Sequence, residues 1–116
     1  MRIISGKFKS TKLFTPLDKE TRPLKDIAKE SIFNTLLHFK KFPFELKNTK
    51  ILDLYSGTGS FGLECLSRDA NKVTFVENNK NAIKILQKNI YKLNVEKKIS
   101  VIENTVLNYL SDIDNF

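Results

Sequence analysis

The chain is most constrained where an apolar run gives way to glycines: Ile51-Leu52-Asp53-Leu54-Tyr55-Ser56-Gly57-Thr58-Gly59-Ser60-Phe61-Gly62. This reads as a buried strand, a tight turn and the start of a helix. That order of elements lets a ligand lie against bare backbone at a helix N-terminus. The next β-like run, Lys72-Val73-Thr74-Phe75-Val76-Glu77, ends in an acid 18 residues beyond Gly59. An acid at that remove commonly grips the two hydroxyls of a ribose. The pair of signals points to an adenosine-bearing ligand in a Rossmann-like half-sheet.

The rest of the chain fits an α/β alternation. Strands are expected near 51–55, 72–77 and 99–103, and helices near 60–67, 80–93 and 105–111. The 80–93 helix gives the clearest pattern, with Ala82, Ile83, Leu86, Ile90 and Leu93 on one apolar face. Lys80, Lys84, Lys88 and Lys92 recur every four residues on another face, which reads as a solvated one. Strand–helix units in series demand parallel strands with right-handed crossovers, so the order is 3-2-1 with strand one at the switch point. Strand one then has an unpaired inner edge, as in a sheet cut short.

Ahead of this core, residues 2–13 read as two short strands around Gly6 or Ser10, with apolar and cationic residues alternating. Pro16 and Pro23 mark an extended loop. Asp26 is placed to cap a helix over 27–39, with Ile27, Ala28, Ile32, Phe33, Leu36 and Leu37 as its buried side. Residues 40–50 read as a linker. The expected organisation is therefore a basic hairpin and loop at 1–24, a helix and linker at 25–49, and a partial nucleotide-binding domain at 50–116.

Charge is unevenly placed. Residues 1–50 hold 12 Lys or Arg against 5 Asp or Glu, whereas residues 51–116 hold 8 of each. A basic segment joined to a neutral core suggests a polyanionic partner, most simply nucleic acid. No run approaches the roughly 20 apolar residues of a membrane span, and nothing resembles a secretory signal. Cys65 is the only cysteine, which excludes an internal disulfide, fits a cytoplasmic protein and reads as core packing. His38 has no partner in sequence that would make it an acid, base or metal ligand.

Gly57-x-Gly59-x-x-Gly62 matches the dinucleotide fingerprint, but a lone match is weak. Asp53, four residues before Gly57, argues for another ligand. A carboxylate there sits poorly beside a pyrophosphate and suits a cationic end, such as the amino group of S-adenosylmethionine. Other readings stay open: Asp53 as a turn cap, Glu77 as a solvent-facing acid, and Arg22 as a structural partner of Glu30.

Asp53 through Glu64, continuing through Leu66-Ser67-Arg68, resembles motif I of the class I S-adenosylmethionine-dependent methyltransferases. It is most similar to the bacterial small-subunit (16S) ribosomal RNA guanine-N2 methyltransferases of the RsmD type. Arg2-Ile3-Ile4-Ser5-Gly6-Lys7-Phe8-Lys9 resembles that family's opening hairpin. Thr21-Arg22-Pro23, followed by Glu30-Ser31-Ile32-Phe33-Asn34, resembles its second block, although Leu24 stands where the family usually has a small hydroxyl residue.

The resemblance implies that Asp53 and the turn Ser56, Gly57, Thr58 and Gly59 hold the methionine part of the cofactor. It implies that Glu77 accepts from the ribose hydroxyls, that Asn78 lies beside the adenine, and that Asn104 or Thr105 meets the adenine amino group. Arg2, Lys7, Lys9, Lys12 and Arg22 become the expected contacts to 16S ribosomal RNA or the small subunit. A soluble, monomeric, cytoplasmic enzyme that needs no metal is implied when the protein is full length. The family's Asp/Asn-Pro-Pro-Tyr/Phe block has no counterpart here, since Pro16, Pro23 and Pro43 are isolated. The expectation is thus an N-terminal part with no catalytic residue of its own. A fragment of an NAD-dependent oxidoreductase and a non-catalytic RNA-binding protein are the alternatives.

Overall fold

The computed structural model describes residues 1–16, 26–38 and 45–113. Its centre is a parallel sheet in the order β1-β2-β3, with β1 at Lys50–Leu54, β2 at Lys72–Glu77 and β3 at Ile99–Glu103. Ile51 pairs with Val73 and Val73 with Ile99. Four helices follow the chain: α1 Asp26–His38, α2 Ser60–Ser67, α3 Lys80–Leu93 and α4 Val106–Ile113. A 3-10 turn at Glu96–Lys98, which the sequence reading missed, leads into β3. The expected order and the ranges of α2, β2, α3 and β3 hold. β1 and α4 each shift by a residue or two at their ends. Among the described residues nothing pairs with the second edge of β1, and Leu52 there is 44% exposed.

The glycine run works by close approach. A Cβ at Gly62 would lie 2.3 Å from the Phe75 ring, so α2 can sit directly on β2 only with glycine there. α2 is consequently sunk on nearly all sides: Leu63, Glu64, Cys65, Leu66 and Ser67 are all buried. Burial pushes the Cys65 thiol up to about 12, which fits an inert packing residue. α3 starts with the Asn79 side chain accepting from Ala82 N at 3.0 Å and ends on Asn94 in a left-handed conformation. Its expected apolar face is buried. So is Asn89, whose Nδ2 donates to Thr58 O (3.0 Å) and Phe14 O (3.2 Å) and whose Oδ1 accepts from Phe14 N (2.7 Å).

Two expectations for the N-terminal part need correction. Residues 2–13 fold back on themselves, but only a single antiparallel bridge, Arg2 to Lys12, forms instead of two strands. The backbone amides that would extend a ladder are used elsewhere. Ile4 N and Ser5 N donate to the Glu64 carboxylate at 2.9 and 3.1 Å, Lys7 N to Ser67 O and Phe8 N to Ser67 Oγ. Gly6 allows this, because a Cβ there would lie 1.9 Å from Ser67 O.

α1 also turns a different side inward from the one expected. Its inner side is Lys29 and Phe33, with Leu37 beside them. Ala28 is exposed, Ile27 is 84% exposed, and Ile32 and Leu36 are also exposed. Asp26 is the first helical residue, and its carboxylate accepts from Arg2 N at 3.1 Å; among the described residues it caps no helix amide. The physical reason is Glu64, fully buried on α2. Lys29 Nζ reaches its Oε1 at 3.3 Å while donating to Arg2 O and Ser60 Oγ, and Arg68 Nε meets its Oε2 at 2.9 Å. Phe33 stacks on Phe61 at 4.9 Å between centroids, and the Arg68 guanidinium carbon lies 4.3 Å from the centroid of the Phe33 ring. One apolar core joins Ile3, Phe33, Leu63 and Phe75. Residues 17–25, 39–44 and 114–116, including the Thr21-Arg22-Pro23 block, Leu24, Pro43 and the first five residues of the expected linker, lie outside the described residues.

Removing one member of a fully buried ion cluster strands the others without a counter-charge. Glu64→Gln is expected to lower the unfolding free energy by about 3–5 kcal/mol. A urea midpoint equal to that of the parent chain would contradict the central place given to Glu64.

Candidate functional site

The site lies at the C-terminal ends of the strands, where open parallel sheets bind ligands. Tyr55, Gly57 and Gly59 have φ of 55°, 56° and 90°, which swings the chain sharply out of β1 and into α2. Tyr55 takes this left-handed conformation without glycine's freedom and leaves its ring 76% exposed. A Cβ built on Gly57 would meet nothing within 4 Å, so the turn faces open space at that point. Gly59 differs: a Cβ there would strike Leu86 at 2.3 Å, and its role is packing against α3. Ser56 ties the turn to β2 through its amide, 3.2 Å from Val76 O.

Glu77 organises the turn. Its Oε1 accepts from Gly57 N at 2.7 Å, and its Oε2 accepts from Asn78 N and Asn79 N, both at 2.9 Å. An ionised carboxylate has about four acceptor positions, so one remains for a ligand hydroxyl. Asp53 lies one strand over. Its Oδ2 accepts from Gly62 N at 3.1 Å, the turn-capping bond that the sequence reading kept as an alternative; among the described residues its other oxygen has no hydrogen-bond donor. Burial pushes the Asp53 carboxyl up to about 6, Gly62 N opposes that rise, and the Glu77 charge adds to it. A cation arriving at Asp53 would relieve this cost.

A cleft of about 200 Å³ opens beside the turn, lined by Tyr55, Val76, Glu77, Asn78, Asn104, Thr105, Val106 and Leu107. The expected Glu77, Asn78, Asn104 and Thr105 are thus brought together. Asp53, Ser56, Gly57, Thr58 and Gly59 lie outside this lining, and the Thr58 side chain is buried under the turn. Thr105 spends its hydroxyl on capping α4, accepting from Asn108 N at 3.2 Å, while Asn104 Oδ1 accepts from Thr105 N at 2.8 Å. The Asn104 amide is therefore the freer of the two toward a ligand. Tyr55 and Leu107 were not expected. Leu107, 78% exposed, follows a Thr-capped helix start at the end of a strand, which is the signal that could have marked it. Nothing in its residue type marks Tyr55.

Of the expected nucleic-acid contacts, Arg2, Lys7, Lys9 and Lys12 all have exposed positions. Arg2 also pairs with Asp26 at 3.7 Å. Arg22 is outside the described residues. No group of three or more His, Cys, Asp or Glu that could hold a metal occurs among the described residues. Nor is any helix among them long and apolar enough to cross a membrane.

A glycine turn on β1, an acid closing β2 and helices crossing between parallel strands define the Rossmann-like fold of the class I S-adenosylmethionine-dependent methyltransferases. The structure superposes on a solved Escherichia coli chain, described provisionally as the methyltransferase yhhF, with a TM-score of 0.77 and 28% identity over 95% of this chain and 55% of that one. The chain belongs to the family described as conserved hypothetical protein 95, which matches residues 1–114. It is 34% identical over 116 residues to the ribosomal RNA small subunit methyltransferase D of Haemophilus influenzae, covering 99% of this chain and 57% of that protein. The protein of the same name from Buchnera aphidicola is 33% identical over 106 residues, 91% of this chain and 52% of its own length. The chain thus spans a little over half the length of these relatives.

The Asp53 carboxyl binds its proton more tightly in the folded state, about 6, than at its ordinary value of 3.8. Its contribution to stability is complete below pH 3.8 and is lost as pH rises through 6. The full cost at neutral pH is at most about 3 kcal/mol, less after solvent screening of this half-buried group. Asp53→Asn keeps an acceptor for Gly62 N, and is expected to stabilise the unliganded chain by about 1–2 kcal/mol at pH 7.5 and by almost nothing at pH 4. Thermal unfolding at the two pH values checks it; a loss of stability at pH 7.5 would contradict the assigned cost.

Proposed function

We propose that this chain carries the S-adenosylmethionine half-site of a ribosomal RNA methyltransferase directed at the exocyclic N2 of a guanine in small-subunit RNA. The observation that carries the reading is the Glu77–Gly57 bond of 2.7 Å beside open space over Gly57, with the Asp53 carboxylate behind the same turn. An anionic carboxylate held at a cost is suited to an ammonium group and unsuited to a diphosphate. That preference supports a sulfonium amino acid over the nicotinamide dinucleotide of the alternative reading.

In this reading Asp53 and the turn from Ser56 to Gly59 receive the amino acid end. Ser56, Thr58 and Gly59 act mainly by fixing the turn's shape. Glu77 takes the ribose hydroxyls with its remaining acceptor capacity, and Asn78 lies at the rim. Asn104, rather than Thr105, offers the polar group for the adenine edge, and Leu107 and Tyr55 flank the base. When bound, the cofactor supplies a methyl group on a positively charged sulfur. The chain's share of catalysis is then alignment and exclusion of water around that charge.

The exposed Arg2, Lys7, Lys9 and Lys12 make the N-terminal return an electrostatic contact for RNA, and Arg22 is proposed with them. A guanine must leave its helix to be reached at N2, so an unpaired or flipped base is the acceptor. A monomer in the cytoplasm fits this role. The relatives' names support a ribosomal RNA substrate, and they favour an enzyme over a non-catalytic RNA-binding protein.

Calorimetry with S-adenosylhomocysteine tests the half-site. Binding is expected at pH 7.5, weakened about tenfold or more by Asp53→Ala and by Glu77→Ala, the loss of a charge-assisted hydrogen bond in each case. Affinity should also fall as pH drops below about 6, where Asp53 gains its proton. No binding by the parent chain, or equal binding by Asp53→Ala, would refute the reading, as would tighter binding of NAD than of S-adenosylhomocysteine.

A further inference from the structure

The second half of the chain is neutral only on average. α3 carries Lys80, Lys84, Lys88 and Lys92 and not one acid. A helix face that is merely solvated usually mixes both signs, because opposite charges four residues apart stabilise it and like charges destabilise it. Lysines four residues apart rise about 6 Å along the helix, a step comparable to that between neighbouring phosphates of an extended strand.

Aromatic rings lie in this positive field. Phe14 and Tyr91, 48% and 80% exposed, share an open groove of about 690 Å³ with Lys84, Gln87, Lys88 and Lys92. Lys92 Nζ lies 5.1 Å over the Phe14 ring and also donates to Lys12 O. That contact joins the groove to the basic N-terminal return. Phe14 itself is fixed, since its backbone is held on both sides by the buried Asn89, which also holds the glycine turn at Thr58. A large exposed ring on a rigid backbone, among cations, is the composition of a stacking platform for unpaired bases.

We propose that the groove between the N-terminal return and α3 binds single-stranded RNA, with Phe14 and Tyr91 stacking on bases and Lys84, Lys88 and Lys92 meeting phosphates. The proposal rests on the RNA acceptor named above and extends its footprint to a helix whose lysines read as plain surface in the sequence. Through Asn89 the groove touches the backbone of the cofactor turn, so the bound strand and the cofactor half-site share one support.

Fluorescence anisotropy with a short, labelled, unstructured RNA tests it, alongside a duplex of equal length and S-adenosylhomocysteine calorimetry on the same samples. Tyr91→Ala is expected to weaken single-strand binding about tenfold, and Phe14→Leu to weaken it less, since it keeps the backbone clamp. Lys84→Ala/Lys88→Ala should flatten the slope of log K against log salt by about 1.4. All these variants should bind S-adenosylhomocysteine as the parent does. Parent-like RNA affinity in Tyr91→Ala and the double lysine variant, equal affinity for duplex, or binding of anionic lipid vesicles without binding of the RNA would each overturn the proposal. If S-adenosylhomocysteine fails to bind the parent chain, the half-site reading falls independently of the RNA result.

Discussion

A single buried carboxylate holds the N-terminal third to the sheet. Glu64 accepts from Ile4 N, Ser5 N, Lys29 and Arg68, so its charge is balanced and its lone pairs are filled. The four donors come from three places: two from the basic return, one from α1 and one from the residue that caps the end of α2. Ser60, the first residue of α2, receives the same lysine. The helix that begins at the glycine turn is therefore anchored from the side that bears the expected RNA contacts. Asn89 makes a second, smaller anchor from α3, reaching the turn at Thr58 and the chain at Phe14. Between them these two polar groups fix where the turn sits.

The turn can then be strained and open without being loose. Left-handed residues at 55, 57 and 59 leave backbone facing solvent, and the Glu77 carboxylate closes the turn by taking Gly57 N. Asp53 is the costly member of the set, a half-buried carboxylate close to another acid. Such a group weakens the fold at neutral pH and gains its use when a cation is delivered to it. In the proposed reading, stability and ligand affinity are thus opposed at one residue, a common arrangement at functional sites.

Much of this was legible in the sequence, for reasons particular to each element. α2 could be bounded because the glycine turn marks its start, and α3 because it has a regular apolar stripe. β2 and β3 stood out as short β-branched runs at the right spacing. The inner face of α1 was not legible, because a lysine fills the place where an aliphatic residue was expected, and its partner Glu64 belongs to a distant helix. The N-terminal ribbon was misread because its amides bond to side chains and carbonyls of α2, a choice that alternation along the strand cannot reveal. Asn89 drew no expectation for the same reason: its partners are backbone atoms far away in sequence. At the site, four of the residues expected from the resemblance, Glu77, Asn78, Asn104 and Thr105, line one cleft, while Asp53 and the turn from Ser56 to Gly59 lie outside its lining; Tyr55 and Leu107 join the cleft through backbone conformation and helix placement alone.

Whether the turn after β1 cradles a sulfonium amino acid nucleoside is tested most directly by a crystal structure of the chain with S-adenosylhomocysteine. The amino group is expected at the Asp53 carboxylate, the ribose hydroxyls on Glu77 and the adenine between Asn104 and Leu107. A ligand whose amino acid end lies away from Asp53, or whose ribose makes no contact with Glu77, would contradict it.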